Sequence, residues 1–226
     1  MGRAKAHLRA GILVALVAGM LASGSPRSVE GAVEPRPPCD AWQVEYVLAA
    51  NLTVTNTPHG AGNGTFSIGP GRAVLLFSGP GQQQAQLLGY SMQERFTISP
   101  STVFGSADID VDLTTKTDEG CGVAYGLRSG NTLRWTSRVR GYRSDGTTTC
   151  EGGLCGKFAA PAEGQNPWRL NPQDVAFGPF TFSADGSTFT MPTTFVEASK
   201  DPQQTAYVAL SGREVRRTCV KPDMCR

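Results

Sequence analysis

The sequence predicts an all-β protein: a single antiparallel meander of about nine strands, forming a barrel or a two-sheet sandwich and stapled by disulfides. Three observations carry that expectation. Apolar residues recur at every second position in one segment after another, the period of a strand with one buried face. Gly and Pro number 27 and 15, well above ordinary usage and typical of a turn-rich β chain. Six cysteines, an even number, follow an export signal.

That signal occupies residues 1–24. Arg3, Lys5, His7 and Arg9 precede the apolar run Ala10 to Leu21, and the small residues Ala22 and Gly24 stand where a signal peptidase reads, which sets cleavage after Gly24. The apolar run would cover only about 18 Å of a ~30 Å hydrocarbon core, so no membrane span is expected. Residues 25–38, SPRSVEGAVEPRPP, carry prolines without an apolar period and read as a Pro-rich linker. Residues 39–226 then read as a single β domain, large enough to bury its own core. Removing the signal takes 21 basic residues to 18 against 19 acidic ones, because Arg3, Lys5 and Arg9 leave and no acid does. Charge therefore gives no reason for binding nucleic acid or a membrane surface.

Trp42, Val44, Tyr46, Leu48, Ala50, Leu52 and Val54 alternate with Gln43, Glu45, Asn51 and Thr53, which predicts a long half-buried strand. After a Gly-rich loop come Phe66 and Ile68, a Gly69-Pro70-Gly71 break and the run Ala73 to Phe77. A Gly79-Pro80-Gly81 turn leads into a strand over 87–99 with Leu88, Tyr90, Met92, Phe96 and Ile98 in phase. The next strand, 102–115, has Val103, Gly105, Ala107, Ile109, Val111 and Leu113 on its inner face. A hairpin pairs Val123, Tyr125 and Leu127 with Leu133, Trp135 and Val139 about the turn at 128–131. Residues 143–174 show no durable period and read as a long excursion. Asp185-Gly186 turns a hairpin between Phe180 and Phe182 on one side and Phe189 and Met191 on the other, and a last strand runs over 205–217.

In an exported chain Cys39, Cys121, Cys150, Cys155, Cys219 and Cys225 read as three disulfides. The two glycines of Cys150-Glu-Gly-Gly-Leu-Cys155 let that segment fold back on itself. Cys39 precedes the first strand and Cys219 and Cys225 follow the last, so a bridge from Cys39 to one of them leaves Cys121 for the other. There is no C-x-x-C, and His59 is the one histidine beyond the signal, so neither a metal site nor a cofactor is expected.

The candidate ligand-binding residues are Glu94, Arg134, Arg138 and Arg140. Glu94 falls in phase with the apolar face of its strand, where a carboxylate is costly unless it has a task or a bulge turns it into water. Arg134, Arg138 and Arg140 share one strand face, which suits bidentate binding of a carboxylate or phosphate, or an ion-pair ladder with the stripe Asp108, Asp110, Asp112. That stripe and Glu119 have the spacing of an EF-hand, but Leu113 stands where its loop needs glycine. No G-x-S-x-G accompanies His59, the GAGNG loop opens no helix, and Asn51 and Asn63 begin glycosylation sequons. The reading is a secreted or periplasmic, non-enzymatic β-domain that encloses a small apolar or amphipathic ligand or meets a partner surface. Its alternatives are a glycan-acting hydrolase using Glu45 with Glu94, which would have to face each other across a cleft, and a purely structural envelope or surface protein.

Overall fold

The computed structural model describes residues 39–55, 63–157, 164–200, 203–221 and 223–225. The signal, the linker, His59, Gly60 and Gly62 lie outside the described residues. The strands are β1 Ala41–Thr55, β2 Gly64–Ser78, β3 Gln84–Ile98, β4 Ser101–Thr102, β5 Gly105–Ser106, β6 Asp108–Lys116, β7 Ala124–Ser129, β8 Thr132–Trp135, β9 Val139–Glu151, β10 Gly164–Val175, β11 Phe180–Phe182, β12 Thr188–Lys200 and β13 Gln203–Val220. All strand pairings are antiparallel, as short turns between successive strands require.

At one end the ring β3-β2-β1-β13-β12-β11-β8-β7 closes on itself as an eight-stranded barrel, because the first residues of β3 pair with β7. The later residues of β3, Ser91 to Ile98, pair instead with β6, which continues to β9 and β10. In the chain β6 runs on to β7, β8 to β9 and β10 to β11, so each of these pairs is one stave of the barrel broken at mid-height. The last rung between β2 and β3 joins Gly71 to Met92, and among the described residues no ladder joins β10 to β12. Above that level the barrel splays into two four-stranded sheets, β10-β9-β6-β3 and β2-β1-β13-β12. Barrel and two-sheet arrangement thus occur in one chain, at opposite ends.

The closed end is filled by aromatic side chains. Phe180 stacks on Phe189 with centroids 4.4 Å apart, and Tyr46 meets Phe189 edge-on at 5.0 Å while its hydroxyl donates to the Gly186 carbonyl at 3.0 Å. Arg128 turns inward at the mouth, with its guanidinium over Phe77 and Phe182. The disulfide Cys39–Cys219 ties the start of β1 to the end of β13, Cys121–Cys225 ties the mid-height loop to the carboxyl-terminal segment, and Cys150–Cys155 closes the turn after β9.

Several strand readings need correction. The Gly69-Pro70-Gly71 break lies inside one continuous strand, β2, as an irregularity against β1. Leu88 sits at a register shift of β3 and packs with Ala41 and Leu76 in a separate outer cluster, which puts Ala85 and Leu87 inward before it and Tyr90 and Met92 after it. Val103 is at the tip of the small β4–β5 hairpin, not on an inner face. The phase of β7 is reversed: Ala124 and Gly126 face inward, and Tyr125 and Leu127 are exposed. A Cβ at Gly126 would lie 2.7 Å from a Leu133 methyl, so the bulk on the partner strand fills the space and only glycine fits opposite it. Finally, 143–174 is mostly strand, in β9 and β10. Small or hydroxyl residues, Ser144, Gly146 and Thr148, take the inward positions of β9, and β10 ends the sheet, where Pro167 and Pro172 are tolerated.

Candidate functional site

The register of β3 against β6 runs unbroken through Gln93↔Thr114, Glu94↔Leu113 and Arg95↔Asp112, so no bulge turns Glu94 outward. Alternation from buried Met92 places it on the inner face, as the first inward residue of β3 above the last rung with β2. Gln93 and Arg95, on either side, point outward and both donate to Asp112.

The Thr115 hydroxyl holds the Glu94 carboxylate and is itself held by a second hydroxyl. Thr115 Oγ1 donates to Glu94 Oε1 at 2.6 Å, and the hydroxyls of Thr115 and Ser144 lie 2.9 Å apart. Both hydroxyl residues are buried, and they face each other in the β6–β9 register. Apolar residues of both sheets share this inner face. Phe96 stacks on Phe66 across the parting at 4.6 Å, and Leu52, Phe96 and Val208 pack half-buried against the core. Below it Tyr90 meets Phe177 edge-on at 5.4 Å and closes the way to the filled end. Burial pushes the Tyr90 phenol well above its ordinary range, with Tyr142 and the Glu94 charge adding to the shift, so Tyr90 stays neutral.

The three arginines are elsewhere. Arg134 is on the outer face of β8, Arg138 lies in the break within the β8–β9 stave, and Arg140 is on the outer face of β9; all three are exposed. The alternation that aligned them in sequence is interrupted at Thr136 and Ser137, whose amides bond the Tyr125 carbonyl. Among the described residues none of the three forms an ion pair. Arg140 lines a cleft of about 500 Å³ at mid-height with Asp118, Glu119 and Arg143, and Arg143 pairs with Asp118 at 2.9 Å. The aspartate stripe takes partners from β3 and the residue after it, not from these arginines: Ser99 donates to Asp108, Thr97 to Asp110 and Arg95 to Asp112. Arg95 and Gln93 hold the Asp112 carboxyl below its usual range. Among the described residues no group of three or more His, Cys, Asp or Glu is placed to hold a metal ion.

Glu45 and Glu94 are not brought together. Glu45 points outward between inward Val44 and Tyr46, and Arg72 Nε donates to it at 2.6 Å, which holds its carboxyl below the usual range. Among the described residues the inner face thus carries the Glu94 carboxylate beside apolar residues, an arrangement suited to orienting the polar end of a bound molecule. Thr115 and Ser144 were not legible as site residues, because inward hydroxyls look like loop composition; their one signal is the alternation of Ser144, Gly146 and Thr148 with Arg143, Asp145 and Thr147. In comparison with known proteins the chain matches no family model, no curated protein and no solved structure.

Proposed function

We propose that this is an exported, non-enzymatic barrel protein that binds a small amphipathic ligand between its splayed sheets, with Glu94 orienting the ligand's polar end. One observation carries the reading: a carboxylate, positioned by Thr115 and Ser144, on an inner face whose other residues are largely apolar. Three disulfides with no free cysteine suit a non-reducing compartment. A carboxylate selects a head group that donates hydrogen bonds or carries positive charge, such as an amine, over a carboxylate head, which it repels.

Native mass spectrometry of the protein from its natural host should show a co-purified small molecule. In titrations with long-chain alkylamines and fatty acids of equal length, the amine should bind more tightly. Glu94→Gln should weaken amine binding by about tenfold and leave the fatty acid no weaker, since a charged hydrogen bond is lost while shape is kept. Failure of every apolar probe to bind, or equal binding of both heads, would overturn the reading.

A further inference from the structure

On the outer wall of the closed end, where alternation turns side chains toward water, Ala41, Leu76 and Leu88 are only 0%, 1% and 9% exposed. Apolar residues of a barrel's outer wall are hidden only where something lies over them. Here the cover includes the carboxyl-terminal segment and the mid-height loop. Val220 and Cys225 pack on this cluster together with Val74, and Gly120 donates its amide to the Leu88 carbonyl at 2.7 Å. Beyond Val220 the chain has left the β1–β13 ladder, and among the described residues the one backbone–backbone hydrogen bond of 221–225 is internal, from Met224 to Lys221 at 3.1 Å. Among those residues, packing and the Cys121–Cys225 disulfide hold the segment in place. On the same wall Gln86 stands opposite Leu76, and its side-chain oxygen is buried with no hydrogen-bond partner among the described residues. A buried acceptor without a donor is costly, and water relieves it once the cover lifts.

We propose that Cys121–Cys225 is a redox latch: thiol–disulfide exchange with an external dithiol opens it, releases residues 221–225 and uncovers the apolar wall of β1, β2 and β3. Cys121 lines the mid-height cleft, which gives an attacking thiolate a path to its sulfur. The thiolate bonds that sulfur, and Cys225 leaves with the bonding electron pair and takes a proton. The dithiol's second sulfur then closes on its first and frees Cys121, which takes the other proton, so the dithiol is oxidised to a disulfide as the protein's disulfide is reduced. The other two links are placed to re-form. Cys39 and Cys219 stay neighbours through the ladder of β1 on β13 whether or not they are joined, and Cys150 and Cys155 are separated by 5 positions, with Cys150 fully buried. Once open, Cys225 instead rides on a segment that no ladder holds, so its local concentration at Cys121 falls and the open form persists.

The test treats the oxidised, signal-free chain with increasing dithiothreitol under native conditions, then alkylates it and maps the peptides. Binding of the apolar-surface dye anilinonaphthalene sulfonate is read in parallel. Cys121 and Cys225 should be alkylated at about one tenth of the dithiothreitol concentration that opens either other pair. Dye fluorescence should rise about threefold over that same range, while the near-ultraviolet signal of the packed aromatic rings is kept. Cys121→Ser with Cys225→Ser should bind the dye to the same extent without any dithiol. Leu76→Ser, which keeps both cysteines, should open as readily and lose most of the dye rise. Opening of Cys39–Cys219 or Cys150–Cys155 before or together with Cys121–Cys225 would overturn the latch. So would opening without a dye rise, a rise unchanged by Leu76→Ser, or a rise that comes with loss of the aromatic signal. Should either serine variant fail to fold, alkylation order and dye binding of the unaltered chain decide alone.

Discussion

The two ends of this barrel are built from the same long strands and differ in what faces inward. In the closed end every stave pairs on both sides, and Phe180, Phe182, Phe189, Phe77 and Tyr46 fill the interior with their rings in contact. In the splayed end β3 has left β2, Leu52, Phe96 and Val208 are half-buried, and Thr115, Ser144 and Glu94 occupy inward positions. Filled, ladder-closed structure gains the most from burial and has no room for a guest. Half-buried apolar faces with an ordered polar group have given up part of that gain and can recover it on binding. On the proposed reading, the difference assigns stability to one end and ligand binding to the other.

The sharpest way to break that assignment is to remove disulfides one at a time. Cys39–Cys219 spans 180 residues and closes the barrel's first and last strands at the filled end, whereas Cys150–Cys155 spans 5 residues at the rim. Constraint of the unfolded chain alone predicts a loss of roughly 5 kcal/mol for the long link and roughly 2 kcal/mol for the short one. Urea unfolding of the Cys39→Ser/Cys219→Ser and Cys150→Ser/Cys155→Ser variants measures both. Equal losses would mean that the rim contributes to global stability as much as the closed end does.

A second comparison uses two phenylalanines. Phe180 is buried in the stack with Phe189, and its truncation to alanine should cost about 3–5 kcal/mol. Phe96 is half-buried against Phe66 in the splayed end, so Phe96→Ala should cost clearly less, on the order of 1–2 kcal/mol, and should weaken binding of an apolar probe more than Phe180→Ala does. Thermal unfolding beside probe titration separates the two effects. A Phe96 variant as unstable as the Phe180 variant would erase the distinction between the ends.

The same division explains how much could be read from sequence. Most of the closed end was legible: Trp42, Val44, Tyr46 and Leu48 alternate cleanly, as do Phe180 with Phe182 and Phe189 with Met191, because the inward positions of those strands are large and apolar. Cys150–Cys155 was legible from its short glycine-containing spacing, whereas the choice between Cys219 and Cys225 for Cys39 stayed open until the register of β1 on β13 placed Cys219 beside it. Legibility failed where inward residues are small or polar. Gly126 reversed the apparent phase of β7, and Ser144, Gly146 and Thr148 hid β9 inside a supposed excursion. Glu94 was visible as an intruder on an apolar face, but its partners belong to β6 and β9, and only pairing across 21 and 29 residues brings them together. The arginine face failed for a third reason: the strand that seemed to carry it is two strands, broken at Thr136 and Ser137.

The smallest expected effect lies outside the comparison and acts as its control. Glu45 and Arg72 form an ion pair on the outer wall, with side chains 25% and 58% exposed. The Arg72 hydrogen bond lowers the Glu45 carboxyl against the opposing effect of partial burial. A carboxylate whose folded pKa lies below its unfolded value of about 4.3 stabilises the fold above that value, and the contribution is lost as pH falls through the folded pKa. Arg72→Ala should therefore lower stability at pH 7 by no more than ~1 kcal/mol, since solvent screens an exposed pair, and by nothing once the pH is well below 4. High salt should shrink the difference at pH 7 as well, because exposed pairs are screened. Chemical denaturation at both pH values checks the sign. A loss as large as that of Phe180→Ala, or one that persists in acid, would mean that the outer wall shares in holding the barrel closed and that the interior alone does not set its stability.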